Sequence, residues 1–297
     1  MLVILNRAAG TAAREELSDA EILRLFQQAG ISARIEHPDE ARDLAAVARA
    51  AVESDEEVIV AAGGDGTISA VAEALVGSKK ILGVLPVGTL NHFAKDLGLP
   101  LELPVAIETL AQGHVAEVDV GEVNGHIFIN NSSLGLYPHI VARREAQQER
   151  LARSKLAAFV WATLGAFRRF PFLDLRIIVD GKQLVRRTAF VFIGNNEYRI
   201  TGFDLGGRAC LDAGRLGLYL THRTGRLGLF RLGLRALLGR IEEAADFDAF
   251  CVTEATIDAR HARLLVAMDG EVSELATPLH YRIRPRALRV LVPAEKT

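Results

Sequence analysis

Of the 297 residues, the stretch EEVIVAAGGDGTISAVAEALVG (Glu56 to Gly77) most constrains what the chain can fold into. Its apolar run, EVIVAA, is β-branched and does not alternate with polar residues, which fits a strand buried on both faces of a parallel sheet. Three glycines set around an aspartate end the run, and ISAVAEALVG beyond them has helical spacing. The chain on either side repeats the pattern. LVIL (Leu2 to Leu5) is a short strand that stops at Asn6. EELSDAEILRLFQQAG puts Ile22, Leu25 and Phe26 on one helical face with Gly30 as a stop. SARIE is a modest strand, DEARDLAAVARAAVE a helix, and ILGVLP a strand again. This β-α-β-α-β order predicts a parallel sheet with helices on both faces. Ligands of such sheets lie beyond the carboxyl ends of the strands, where Asn6 and GGDGT fall.

After about residue 113 the rhythm changes to strands with few helices. HVAEVDVGEVNGHIFINNSSLG alternates strands with a glycine-bearing turn. LDLRIIVDGKQLVRRTAFVFIGNN reads as a hairpin turning at Asp180-Gly181. RLGLYLTHR, AFCVTEATIDA, RLLVAMDGEV, LHYRIRP and ALRVLVP are further strands. A run of this kind predicts a separate antiparallel sheet or sandwich. The length also favours two domains over one. Apolar residues at 49% and charged residues at 24% fit a folded chain. A net charge of -2 gives no global attraction to nucleic acid, so none is expected as a partner. Cys210 and Cys251 lack metal-ligand spacing and read as buried thiols of a reducing compartment. With no signal-peptide pattern and no long apolar run, a cytoplasmic location is expected.

Two stretches carry local basic charge. Arg143 to Arg169 holds seven Lys/Arg against two Glu, and His222 to Arg240 holds five Arg, no acid, and Leu and Phe between them. Amphipathic helices packed on the sheet with a solvated basic face account for this. So does peripheral contact with an anionic membrane at its inner face, and the two readings are compatible.

In GGDGT, Gly63, Gly64 and Gly66 allow positive φ and close backbone approach, and the N–H groups running into a helix at Thr67 form an anion site. No G-x-x-x-x-G-K-[ST] loop occurs, and no well-placed G-x-G-x-x-G. Asp65 would repel a phosphate unless a divalent cation stands between them or the carboxylate serves as a base, and phosphoryl transfer uses both. The alternative is a plain strand-to-helix turn with Asp65 as N-cap. GVLPVGTLNHFAKDLGLP (Gly83 to Pro100) should lie beside it on the same rim. There Gly88 and Thr89 offer an N–H and a hydroxyl to a phosphate, and Asn91 caps a helix from about His92. An ordinary connection explains the spacing equally well.

Taken together and in order, these motifs resemble the diacylglycerol kinase catalytic-domain family of bacterial lipid kinases, which is related to sphingosine and ceramide kinases. The resemblance rests on LNRAAG with its Asn6 to Gly10 turn, GGDGT, PVGTLNHFA (Pro86 to Ala94), VDVG with Asp119 and Gly121, FINNSSLGL, and MDGEV with Asp269 and Glu271. It implies an α/β nucleotide-binding domain over 1–120, closed by a returning strand at about 286–297, and a β-sandwich lipid-substrate domain over 121–285, with the active site in the cleft between them. It implies that Asn6, Gly63 to Thr67 and Thr89 hold ATP and that Asp65 and Asp119 organise Mg2+, directly or through water. Glu271 is then the general base on a lipid hydroxyl, with Asp65 as the other contender.

Three departures stand out. Arg7 replaces the usual Pro and His92 the usual Asp. In CLDAGRLGLYL the family's structural-metal aspartate is replaced by Ala213, with Arg215 and Gly217 further on, while Asp212 is one residue off register. The structural metal site is therefore expected to be absent. The resemblance implies an ATP-dependent kinase acting on a hydroxyl of diacylglycerol or a related lipid. The alternatives are a weak or silent nucleotide- or lipid-binding protein, or a kinase of a soluble, NAD-type substrate. The oligomeric state is left open, a homodimer included.

Overall fold

A computed structural model describes residues 1–7, 18–39, 41–135, 172–198, 207–208, 210–221 and 247–294. Both basic stretches lie outside the described residues. Four strands form the parallel sheet expected of the first third: β1 (Leu2–Leu5), β2 (Arg34–Glu36), β3 (Val58–Gly63) and β4 (Ile81–Pro86), in the order β2-β1-β3-β4. Strand residues point alternately to opposite faces. Leu2, Ile4, Ile59 and Ala61 pack with α2 (Leu44–Val52), α3 (Asp65–Leu75) and α4 (His92–Asp96). Val3, Leu5, Val60 and Ala62 pack with α1 (Asp19–Gln28) and α5 (Leu103–Gln112). Both faces are thus apolar, which is why these strands read as continuous hydrophobic runs.

Local signals set the helix ends. Ser18 and Glu21 form a capping box at α1, and Gly30 follows its end with φ 76°. Asp43 caps α2 by accepting from the Ala46 N–H.

The remaining strands build a sandwich. The sheet extends through β5 (His114–Val123) and β16 (Leu279–Val292), and then through β13 (Glu254–Ala259), β8 (Leu173–Val179) and β9 (Lys182–Thr188). A second antiparallel sheet runs β12-β11-β10-β7-β14-β15. Its strands are β7 (Asn131–Gly135), β10 (Phe190–Asn195), β11 (Leu216–Thr221), β12 (Phe247–Val252), β14 (Arg263–Met268) and β15 (Glu271–Ala276). Their inner faces share one core, where Phe128 meets Tyr281 edge to face at 6.3 Å. The Tyr281 hydroxyl lies 3.1 Å from Ser132 Oγ of the opposite sheet. Three two-residue turns, Asn124-Gly125, Asp180-Gly181 and Asp269-Gly270, have positive φ at both positions, the requirement of tight hairpins.

Three expectations are corrected. Neither cysteine is buried: Cys210 lies exposed in the loop before β11, and Cys251 is half-exposed on the edge strand β12. AFCVTEATIDA is two strands, β12 and β13, placed in different sheets. LHYRIRP and ALRVLVP are one strand: β16 runs for 14 residues, pairing with β13 in the sandwich and in parallel with β4 in the α/β sheet. Both halves also pair with β5, with a register shift between them. Arg284 faces Val120 and Leu288 faces Val118, so residues 285–287 oppose Asp119 alone. The bulge bends the strand from one part into the other without breaking it.

Because β5 and β16 belong to both parts, their unfolding should be coupled. Phe128→Ala, in the sandwich core, should cost about 3–5 kcal/mol and lower a single calorimetric transition. Two separate transitions, with only one of them shifted, would contradict this coupling.

Candidate active site

At the end of β3 the chain turns directly into α3. Gly64 occupies the N-cap, and Asp65 is the first helical residue. The helix thus starts two residues earlier than expected, and Asp65 is not the cap. Gly64 has no side chain to cap the helix, and a helix N-terminus without a side-chain cap is suited to an anion. Gly63 is forced by packing. A Cβ there would lie 2.3 Å from the Thr67 side chain, so only glycine lets the helix return this close to the strand. Asn6, one residue past β1, donates through Nδ2 to Thr67 Oγ1 at 3.1 Å, and its N–H donates to Ala62 O at 3.1 Å. Asn6 and the glycine turn therefore share one rim.

The PVGTLN loop lies beside it. Asn91 sits at the N-cap of α4 with φ 52°, but its side chain does not cap that helix. It accepts from the Gly88 N–H at 2.9 Å and donates to Pro86 O and Gly88 O, closing the loop on itself. The expectation of a capping side chain is corrected: Asn91 shapes the loop that presents Gly88 and Thr89. The Phe93 N–H points at Asp65 Oδ1, 3.4 Å away, and joins the two motifs.

The late Asp-Gly-Glu turn comes to the same place from the sandwich. Asp269 is half-buried, and its carboxylate accepts from Ser69 Oγ of α3 at 2.5 Å and from the N–H groups of Ile129, Asn130 and Asn131 at 2.8–3.0 Å. Burial pushes its carboxyl above the usual range, against the pull of these four donors. Asp269 is therefore a structural anchor. Glu271, two residues on, opens β15 and brings Oε1 to 3.5 Å from where a Cβ on Gly66 would be. A carboxylate of the sandwich thus faces the glycine turn of the α/β part.

Asp119 is 1% exposed and lies opposite the β16 bulge. Its Oδ1 accepts from the Arg286 N–H at 2.9 Å and its Oδ2 from the Gly214 N–H at 2.6 Å. Asp212 lies in the exposed loop before β11, not within a strand, so the strand-face reasoning applied to it does not hold. Among the described residues no three His, Cys, Asp or Glu side chains cluster as a metal cage. His92 begins α4 at an exposed position.

With this geometry, the comparisons with known proteins are consistent throughout. The diacylglycerol kinase catalytic domain matches residues 1–123, and the YegS C-terminal NAD kinase beta sandwich-like domain matches residues 138–292. The chain is 30% identical to a diacylglycerol kinase of Bacillus subtilis over 227 residues, covering 74% of this chain and 73% of that one. The chain belongs to the diacylglycerol kinase catalytic-domain family. Another relative, a diacylglycerol kinase of Staphylococcus aureus, is 28% identical over 75% of this chain and 70% of its own. Among solved structures, a diacylglycerol kinase of Bacillus anthracis superposes with a TM-score of 0.69 at 20% identity, covering 98% and 96% of the two chains. A yeast NADH kinase complexed with NADH gives 0.51 at 10% identity, covering 99% and 84%. These two likenesses show the shared fold. Membership in a kinase family makes phosphoryl transfer the chemistry class of the chain.

Within this kinase-family frame, several residues that organise the cleft carry no motif of their own. Ser69 is one turn along α3 from Asp65, and nothing in ISAVAEAL distinguishes it. Asn195 donates to Asp119 O and to Ile129 O, each at 2.8 Å. Tyr198 donates to Asn130 O, and burial pushes its phenol up to about 12, so it stays protonated. Arg208 joins α4 to the same segment.

Asp269→Ala should remove the acceptor of three backbone N–H groups and one hydroxyl, each about 1–3 kcal/mol when left buried. A loss of at least about 3 kcal/mol is expected in urea unfolding, against about 1 kcal/mol for Ser69→Ala. An unchanged midpoint for Asp269→Ala would contradict the anchoring role.

Proposed function

We propose that this protein is an ATP-dependent lipid kinase that phosphorylates a hydroxyl of diacylglycerol or a related lipid. The observation that carries the reading is the placement of Glu271 against Gly66. It sets a carboxylate from the sandwich opposite a glycine turn that leads into a helix N-terminus with no side-chain cap. That pairing is what transfer to an alcohol needs: donors for the phosphates on one side and a proton acceptor on the other.

The residues fit Mg2+ and ATP in a specific way. Magnesium is usually held by one or two carboxylates together with substrate phosphates and water, so a ready-made protein cage is not required. When bound, MgATP supplies the γ-phosphoryl group and the charge neutralisation that lets Asp65 stand beside phosphate. The N–H groups of the Gly63–Thr67 turn and the loop at Gly88 and Thr89 bind and orient the phosphates, with Asn6 steadying Thr67. Asp65 would help hold the metal, and Asp119, whose two oxygens already serve backbone donors, would act on it through water. Glu271 accepts the proton of the lipid hydroxyl as the new O–P bond forms and the bond to the departing ADP breaks. The basic, leucine-bearing segments at Arg143–Arg169 and His222–Arg240 bring the cleft to an anionic membrane. In line with this peripheral mode, no helix among the described residues is long and apolar enough to cross a membrane.

Turnover of ATP with lipids in mixed micelles tests the reading. The parent should phosphorylate at least one hydroxyl lipid, and Asp65→Ala and Glu271→Ala should each lose about a hundredfold or more in kcat. ATP binding without transfer to any lipid would replace the reading with a binding protein, and phosphorylation of NAD would keep the cradle and overturn the lipid. Vesicle co-sedimentation tests the membrane contact separately. Binding to anionic vesicles should fall in high salt and when Arg226, Arg231 and Arg235 are neutralised together. Binding indifferent to both changes would rule that contact out.

A further inference from the structure

A second route joins the glycine turn to Glu271, through a buried ion pair. The Arg208 side chain is 0% exposed. Its Nε and Nη2 donate to Asp96 Oδ2 of α4 at 2.8 and 2.7 Å, and its own N–H donates to Asp96 Oδ1 at 3.3 Å. On the other side Nη1 donates to Ile129 O at 2.6 Å and to Asn195 O at 3.2 Å, and Nη2 donates to Asn130 Oδ1 at 3.0 Å. The guanidinium lies 5.8 Å from the Phe93 ring and 5.6 Å from the Tyr198 ring. Every face of the cation is thus engaged.

These contacts close a ring. Asp65 receives the N–H of Phe93, and Asp96, three residues further along α4, holds Arg208. Arg208 holds the carbonyl side of the Ile129–Asn130 segment, and the N–H side of the same segment holds Asp269. Asp269 returns to α3 at Ser69, four residues after Asp65. Glu271 extends from the Asp269 turn. We propose that Asp96 and Arg208 are positioning residues, a latch between the two parts that fixes Ile129–Asn131 and, through Asp269, sets the Glu271 carboxylate against Gly66. The proposal rests on the kinase reading above and adds residues to it. A buried ion pair contributes little net stability compared with an apolar replacement, but its rigid fork specifies geometry. Reaching two carbonyls, an amide oxygen and a carboxylate at once is beyond a lysine, whose three donors sit on one nitrogen.

The test uses the full-length chain with Asp96→Asn, which keeps the side-chain volume, and Arg208→Lys as the second variant. Two quantities are read: amide hydrogen exchange by residue, and steady-state transfer from ATP to a micellar lipid with kcat and the ATP KM separated. Exchange at Ile129, Asn130 and Asn131 should speed up by at least about tenfold while β3 keeps its protection. The kcat should fall by about tenfold to a hundredfold, as expected for a misplaced catalytic group, with the ATP KM within about twofold of the parent. Faster exchange with unchanged kcat would overturn the proposal, and so would unchanged exchange. Loss of protection spread over β1 and β3, with kcat and KM worsening together, would reduce the pair to a stabilising contact and overturn its positioning role. A parent chain that phosphorylates no lipid defeats the kinase reading itself, and local exchange at Ile129–Asn131 then still decides whether the pair holds that segment.

Discussion

The carboxylate of Asp269 is partly buried and is held by three consecutive backbone N–H groups and the hydroxyl of Ser69. A buried charge is tolerated only where donors surround it. Asp269 meets that condition with groups from both halves of the molecule: Ser69 from a helix of the α/β part, and residues 129–131 from the start of the sandwich. The Asp269-Gly270 turn is therefore pinned before β15 begins, and Glu271 has one place to go. A turn anchored only by its own hairpin would leave that carboxylate to wander. Here the same contact that joins the two parts also fixes the distance across the cleft.

Asp119 does comparable work in β5. Its two oxygens tie down the β16 bulge at Arg286 and the loop at Gly214, and its carbonyl receives Asn195. The bulge lets one strand serve two sheets, so the parts meet through shared hydrogen-bond ladders as well as through surface contact. The glycine turn and the Asn91 loop are thus mounted on the sheet that β16 carries into the sandwich, and Glu271 on the sheet that packs against it, which suits chemistry that depends on placing groups within a fraction of an ångström.

Much of this was legible in the sequence, wherever the signal was local. LVIL and ILGVLP read as buried strands because both of their faces are apolar. Asp180-Gly181 read as a hairpin because its backbone needs positive φ. GGDGT read as an anion site because its glycines leave the N–H groups of a helix start uncovered. The order of the motifs carried the family. What could not be read depended on partners far apart in the chain. Asp96 and Arg208 are separated by 112 residues, and neither stands in a pattern. Asn91 has a typical capping residue type, but its left-handed backbone turns the side chain back into the loop. The continuity of β16 was hidden by Pro285 and Arg286, which mark a bulge and look in sequence like the end of a strand.

The proposed kinase chemistry requires phosphate between the Gly63–Thr67 turn and Glu271. The most direct measurement is a crystal structure with a non-hydrolysable ATP analogue and Mg2+. The account predicts density for the phosphates on the N–H groups of Gly64 to Thr67, with the terminal phosphate facing the Glu271 carboxylate. An analogue bound elsewhere on the protein, with that turn left empty at saturating nucleotide, would contradict it.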